Sequence, residues 1–573
     1  MKLIRKVSLR TLRRRLSSFD SIPQFAILGI ASGLVTGLVI VAFRLLIEIP
    51  LELMFGINDE NFEELDSLIA GALPIIGAIA LVPLYLLISP GSRRVGVVHV
   101  MERLARHQGH MPIKNALVPF FAGVIALGSC QSGGREGPAV HLGAAGSSLI
   151  GHYLELPNNS IRVLVGCGAA AAISASFNTP IAGVIFSMEV IIMEYTIAGF
   201  IPVILAAVVA ALVTQLVFGS VTAFDVPPVS MASFLDLRIV IIESIFIGVI
   251  AAMFIRSVTW VYRVGLVSIP MRLLLAGTFT GAVALMLPQV MGSGYDTVDQ
   301  ALLGELGLVI LISACLLKIL TSAATVGLGI PVGLIGPSLF IGAMAAGMFA
   351  FLAGHASDEL SVPAFYVTLG MGAMMGAVLQ APLAALMAII ELTGNPNIIL
   401  PAMLAIIIAD MTTGQLLGLK SVFLMQMEAL GLEFRQNPLS MALNRASVAS
   451  IMIRNFERVK RTLSRDEANV LVRTRPIWLL VDNDDGKPNY ILRTEDLVSA
   501  LQDTKVALID LSAIPATRKD VFNILLQATL KEALDALNER GVQALYVNRI
   551  SAPMMDSPVG IVTREDVESF YQF

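Results

Sequence analysis

Gly133-Gly134-Arg135-Glu136-Gly137-Pro138 places one glutamate between glycines at the head of a mostly apolar, small-residue run. The chain around it is 56% hydrophobic and 14% charged, with a mean hydropathy of +0.79. A soluble domain averages about 45–50% apolar and about 25% charged residues, so the excess points to lipid as the solvent. From about Pro23 to Leu419 the apolar residues come in long, nearly uncharged stretches, among them Phe25 to Phe43, Leu68 to Ile88 and Ile239 to Ile255. Several approach the ~20 residues that cross a bilayer core. Others, such as Leu308 to Leu320 and Leu400 to Ile408, are short or are flanked by Gly and Pro. A carboxylate inside such a chain is costly and is functional by default.

The same pattern returns later in the chain. Gly137-Pro138 is followed by Gly143, and Gly336-Pro337 is followed by Gly342 at the same spacing. Phe177-Asn178-Thr179-Pro180-Ile181-Ala182 recurs as Leu379-Gln380-Ala381-Pro382-Leu383-Ala384. Glu189 and Glu391 each lie nine residues beyond the proline, and Gly166-x-Gly168 is matched by Gly370-x-Gly372. Two halves offset by about 200 residues are expected. Repeated halves with short, Gly/Pro-interrupted segments mark transporters whose broken helices end near the bilayer midplane. Helix N-termini there offer free N–H groups and the positive end of the dipole. Non-helical backbone at that depth is tolerated only beside protein or a water-filled path. An anion is therefore expected rather than a cation.

The basic residues Lys2, Arg5, Lys6, Arg10, Arg13, Arg14 and Arg15 precede the first span and favour a cytoplasmic N-terminus. The apolar run after Pro23 is too long for a signal-peptide core and reads as a retained span. The expected division is a basic segment over 1–21, a membrane domain over 22–435 with halves at about 22–220 and 237–430, and a cytoplasmic domain over 436–573. The last boundary falls at Leu432 to Ser440, around the turn signal Asn437-Pro438. The tail also looks duplicated. Ile477 to Val481, Tyr490 to Leu492 and the helix start at Arg493 to Leu497 correspond to Ala544 to Val547, Val559 to Val562 and Thr563 to Val567. Cys130, Cys167 and Cys315 sit in apolar segments and read as small buried hydrophobes. No His/Cys cluster suggests a metal, and His99 and His141 read as packing residues. No paired nucleophile and base suggests an enzyme, and no nucleic-acid partner is expected.

The stretch Gly133 to Pro138 resembles the signature of the CLC family of chloride channels and chloride/proton exchangers, in which a glutamate side chain plugs the outer anion site. The resemblance runs from Arg15 to about Leu430. It implies an all-α polytopic domain of two inverted halves of tilted and broken helices, in a homodimer with one pore per subunit. It also implies a gating role for Glu136, anion contacts at Arg135 and Gly137, and integral membrane location, in a bacterial inner membrane with both termini cytoplasmic. The second family motif is matched by Val332-Gly333-Leu334-Ile335-Gly336-Pro337, where the amides of Leu334 and Ile335, with Gly336, are expected to face the central anion.

Two departures stand out. The family's first motif, which normally supplies a serine hydroxyl, is matched by Arg94-Val95-Gly96-Val97-Val98, and Val95 has no donor. Ser92 lies three residues upstream. The family's tyrosine after the last span is replaced by Phe423, which keeps a ring for gating and loses the phenol. Each lost donor to a charged group is worth about 1.5–3 kcal/mol, so weak central binding through backbone amides is expected. Exchangers commonly carry a proton-relay glutamate at the position of Val190, which favours a voltage-gated-type chloride channel, with a proton-coupled chloride exchanger as the alternative. A nucleotide-gated cation channel is the distant alternative, and the two Gly-Pro loops argue against it. Glu189 and Glu391 are expected to hydrogen-bond helix ends, and Glu243, Lys318 and Asp410 to pair within the bundle. The tail resembles a pair of cystathionine-β-synthase-type (CBS) modules. No cofactor is required; an adenine nucleotide at the pair is implied, with Thr563 and Asp566 in the second module and Asp496, preceded by Arg493 in place of the hydroxyl, in the first.

Overall fold

Among the described residues, eight helices are long and apolar enough to cross a membrane, and five further apolar helices of 10–17 residues are interleaved with them. This computed structural model describes residues 22–56, 61–220, 224, 226, 229–264, 268–356, 361–432, 438–503, 508–549 and 557–570. The basic N-terminal residues and Asn437 lie outside them. The chain divides into two compact units, one of Phe25–His152 with Ile161–Phe434, the other drawn chiefly from Arg435–Phe573 with Tyr153–Ser160.

The larger unit is all helical. In chain order its helices are α1 (Ile22–Phe55), α2 (Ser67–Leu87), α3 (Val97–His107), α4 (Lys114–Gly128), α5 (Glu136–Tyr153), α6 (Asn158–Phe177), α7 (Pro180–Phe186), α8 (Ile197–Phe218) and α9 (Phe234–Arg263). Then follow α10 (Ile269–Ala284), α11 (Tyr295–Leu303), α12 (Leu308–Gly327), α13 (Ile335–Ala356), α14 (Pro363–Leu379), α15 (Pro382–Thr393), α16 (Ile399–Met411) and α17 (Val422–Ala429). Without a hydrophobic drive between helices in lipid, close approach at small residues holds such a bundle together. Gly29 and Gly33 of α1 lie against the backbone of α8, where an added Cβ would fall 2.4 Å from the carbonyl oxygens of Pro202 and Ala206.

The repeat appears as the same contacts made twice. Gly143 of α5 meets Gly168 of α6, with an added Cβ 2.2 Å from the Gly168 carbonyl oxygen. Gly342 of α13 meets Gly370 of α14, with the corresponding distance 2.4 Å. Gly168 therefore corresponds to Gly370, and the sequence match of Gly166-x-Gly168 with Gly370-x-Gly372 is shifted by two residues. That correspondence has the same offset as Pro180 and Pro382, which open α7 and α15 at the first helical position, where the missing N–H costs nothing. Asn178 and Gln380, two residues before those prolines, both take a left-handed backbone, with φ of 58° and 50°.

The two halves also cap each other. Glu391 accepts hydrogen bonds from the amides of Ile181 and Ala182 at 2.9 and 2.7 Å, at the head of α7. Glu189 accepts from Leu383 and Ala384 at 3.4 and 2.8 Å, at the head of α15. Each carboxylate satisfies orphan N–H groups and sits at the positive end of the opposite half's helix. Replacing Glu391 by Ala removes two charge-assisted bonds, worth about 1.5–3 kcal/mol each before relaxation. A lower thermal midpoint in detergent is the expected result.

The expected side-chain ion pairs inside the bundle take a different form. Lys318, fully buried in α12, donates to three backbone carbonyls, those of Val290, Met291 and Gly292, at 3.0, 3.3 and 2.8 Å. The segment after α10 is too irregular to use its own carbonyls, and the ammonium takes them up. Glu243 is buried in α9, and neither carboxyl oxygen has a hydrogen-bond partner.

The second unit carries a six-stranded sheet in the order β1-β3-β4-β6-β7-β8. Its strands are β1 (Phe456–Val459), β2 (Thr462–Ser464), β3 (Trp478–Asp482), β4 (Pro488–Arg493), β5 (Leu508–Asp510), β6 (Lys519–Leu525), β7 (Ala544–Asn548) and β8 (Pro558–Thr563). β1 runs parallel to β3 and β6 runs parallel to β7, while β3–β4 and β7–β8 are antiparallel pairs. The helices Arg465–Thr474 and Leu530–Arg540 make the two crossovers that parallel pairing requires. Both open on a capping box, Ser464 with Glu467 and Thr529 with Glu532. That S/T-x-x-E spacing is the sequence signal for these two helices, and hydropathy alone passes over it.

Candidate functional site

Two glycine-rich loops, one from each half, meet ahead of α5 and α13. Gly134 donates to the Gly333 carbonyl at 3.0 Å and Gly333 donates back to the Gly134 carbonyl at 2.6 Å. No side chain fits at this crossing. A Cβ on Gly134 would lie 1.9 Å from Glu136 Oε2, one on Gly333 would lie 2.2 Å from Glu136 Oε1, and one on Gly137 would lie 2.9 Å from Gly333 Cα.

Glu136 is the first residue of α5 and only 1% exposed. Its Oε1 accepts from the amides of Ile335 and Gly336, the first two residues of α13, at 2.5 and 3.2 Å. These N–H groups have no partner within their own helix, and the helix dipole favours a negative charge there. A carboxylate of one half thus occupies an anion seat made by the other half. Oε2 has no hydrogen-bond partner.

The seat is braced from behind. Gly133 donates to the Gly292 carbonyl at 3.1 Å, the same carbonyl that Lys318 holds. Ser132 Oγ lies 2.9 and 3.1 Å from the hydroxyls of Thr321 and Ser322 on α12. One helix therefore fixes both the 290–292 segment and the loop that carries Glu136.

A cavity of about 360 Å³ opens beside the seat, lined by Glu136, Gly137, the Val95–His99 stretch, the Ile330–Leu334 loop, and Phe423 and Gln426 of α17. Arg93, Arg94, Arg272, Tyr85 and Tyr262 complete its polar lining. Arg93 donates to the Ile88 carbonyl and Arg272 to the carbonyls of Gly327 and Leu328. These two cations are thus placed by backbone oxygens rather than carboxylates. Among the described residues Glu136 is the one carboxylate in the lining; Arg94 there is paired with Glu102, and Arg93 and Arg272 bring positive charge that attracts anions.

The expected site residues divide. Glu136, Gly137, Val95, Gly96, Leu334 and Phe423 share the cavity wall, and Ile335 and Gly336 form the seat. The amides that hold the carboxylate are those of Ile335 and Gly336, while Leu334, expected with Ile335 to face a central anion, lines the cavity. Arg135 is absent from the lining. Its guanidinium bonds Glu48 at 3.2 Å and lies over the Phe177 ring, because the residue before a helix start points away from the one that opens it. The Gly96 amide, at a φ of +104°, donates to His141 Nδ1 at 3.1 Å, so it is taken up within the protein. Ser92 bonds Ser89 and does not line the cavity. His141 stacks on His99, with ring centroids 5.0 Å apart. Val190 is buried in the π-helical turn Ser187–Ile192. In the tail, Thr563 Oγ1 and Asp566 bond each other at 2.7 Å and cap the helix Arg564–Phe570, so this pair is accounted for as a helix cap. Arg493 lies over the Trp478 ring and beside Glu495, and Asp496 is in the first turn of Thr494–Asp503. Sequence reasoning missed Tyr85, Arg93, Arg272 and Gln426. Only Gln426 carries a signal, being one helical turn beyond Phe423.

Residues 76–414 match the family described as voltage gated chloride channel. A ClcB-like chloride channel protein of Ralstonia nicotianae is 31% identical over 348 residues, covering 58% of this chain and 79% of that protein. A protein of Vibrio cholerae named H(+)/Cl(-) exchange transporter ClcA is 29% identical over 313 residues, covering 52% of this chain and 67% of its own length. The fold is shared with a slow cyanobacterial Cl-/H+ antiporter, at a TM-score of 0.61 and 21% identity over 71% of this chain and 98% of that one. With more than half its length matched and the paired glycine loops in place, the chain belongs to the voltage gated chloride channel (CLC) family of membrane proteins.

Proposed function

We propose that this protein exchanges chloride for protons across a membrane, with Glu136 as the group that both competes with the anion and carries the proton. The observation that carries this reading is the Glu136 carboxylate resting on the Ile335 and Gly336 amides at the edge of an electropositive cavity. Charged, the carboxylate fills an anion's place. Protonated, it has little hold on N–H donors and yields the seat to chloride.

The channel reading rested on Val190, which cannot relay a proton. The relatives shift the balance, since proteins named as chloride/proton exchangers stand among them and share the fold. In an exchanger of this kind the proton reaches Glu136 by a route that bypasses Val190.

Reconstituted in liposomes loaded with potassium chloride, the protein is expected to release chloride when valinomycin supplies a potassium counter-current, and not before. Release independent of valinomycin, or none, would contradict the proposal. Gly333→Ala tests the seat itself. Its Cβ would lie 2.2 Å from the Glu136 carboxylate and 2.6 Å from the Gly137 amide nitrogen, and the second atom is backbone that cannot step aside. Chloride release by this variant should lose most of its dependence on pH, measured at two external pH values against the wild type.

A further inference from the structure

Val95 is aliphatic and Phe423 has no hydroxyl, so neither of the two positions where the resemblance places a side-chain ligand carries a donor. Two other side chains that line the cavity carry polar atoms with no hydrogen-bond partner among the described residues. Tyr85 is 4% exposed and its hydroxyl has no hydrogen-bond partner. Gln426 is 5% exposed and its amide nitrogen has none. Both line the cavity that holds Glu136. Buried polar groups are paired as a rule, and an orphan calls for a reason such as a ligand.

The placement fits a compensation. Gln426 lies one turn beyond Phe423 on α17, so the two share a face. Tyr85, near the end of α2, lines the same cavity as Val95, ten residues on. Both atoms are donors: a phenol O–H and an amide N–H. Neither brings charge, so an anion can be held there and still leave.

We infer that Tyr85 and Gln426 supply the side-chain hydrogen bonds to the transported anion, in place of the hydroxyls missing at Val95 and Phe423. The inference rests on the proposal that the protein carries chloride and names specificity-determining residues for it. The anion site is then wider than a backbone-only site, and its preference among chloride, nitrate and fluoride is set by the phenol and the amide.

The test is chloride binding by calorimetry to the purified full-length protein in detergent, with Tyr85→Phe, Gln426→Met and the double variant. Each change removes a donor and keeps the bulk. The double variant is expected to bind chloride about tenfold or more weakly, the loss of one to two charge-assisted bonds. The wild type's rise in thermal midpoint with added chloride should shrink in parallel. If Gln426→Met does not fold, Gln426→Glu tests the same position, since a carboxylate there should abolish chloride binding. Wild-type binding with the double variant within about twofold of it would overturn the inference and leave the transport proposal standing; the two atoms would then simply face solvent. No chloride binding and no chloride flux by the wild type would overturn both.

Discussion

Glu136→Ala is expected to abolish proton movement while chloride still flows. Among the described residues the carboxylate is the one acidic group in the cavity lining, and it holds the two N–H donors that open α13. Removing it leaves the seat open to chloride at every pH and removes the carrier of the proton. Wild-type chloride flux should rise as external pH falls, because protonation frees the seat; the Ala variant should be flat. The readouts are chloride release and external pH in the same liposome experiment. A variant that kept the wild-type pH dependence would show that another group gates the path.

Lys318→Met is expected to destabilise the membrane unit strongly. The ammonium serves three carbonyls from full burial. Met keeps an unbranched apolar stem but leaves those oxygens without this donor, at a cost of about 1–3 kcal/mol for each buried acceptor left unsatisfied. Because the Gly292 carbonyl also receives the Gly133 amide, the damage reaches the loop that carries Glu136. A clearly lower thermal midpoint in detergent is expected, together with less flux per folded molecule. An unchanged midpoint would mean that the three carbonyls find other partners.

The glycine loops, the paired prolines and the two capping glutamates were legible in the sequence because each is a local pattern with a local cause. Glycine at 134, 137 and 333 is demanded by a crossing of backbones. Pro180 and Pro382 open helices at the position that spares an N–H. Of the tail strands, β3, β4, β7 and β8 read correctly from their apolar runs, β1, β2, β5 and β6 did not, and the crossover helices needed the capping-box spacing. The rest depends on where side chains turn in space. Nothing in spacing tells that Arg135 faces Glu48 and leaves the anion to backbone amides, or that Lys318 reaches a loop 26 residues away from its own position at Gly292. The two-residue shift at Gly166 and Gly168 arose because small residues are dense in that segment, and only the contact with Gly143 picks out Gly168. Tyr85 was hidden for the same reason, as one tyrosine in an apolar helix.

The most direct test of exchange is a liposome experiment in which an imposed outward chloride gradient opposes a preset proton gradient and external pH is recorded with potassium and valinomycin clamping the voltage. Chloride leaving the liposomes should drive protons inward against a proton gradient set beforehand, so that the external solution becomes more alkaline. Chloride release with no proton movement would contradict the account, and would make Glu136 the gate of a passive chloride path.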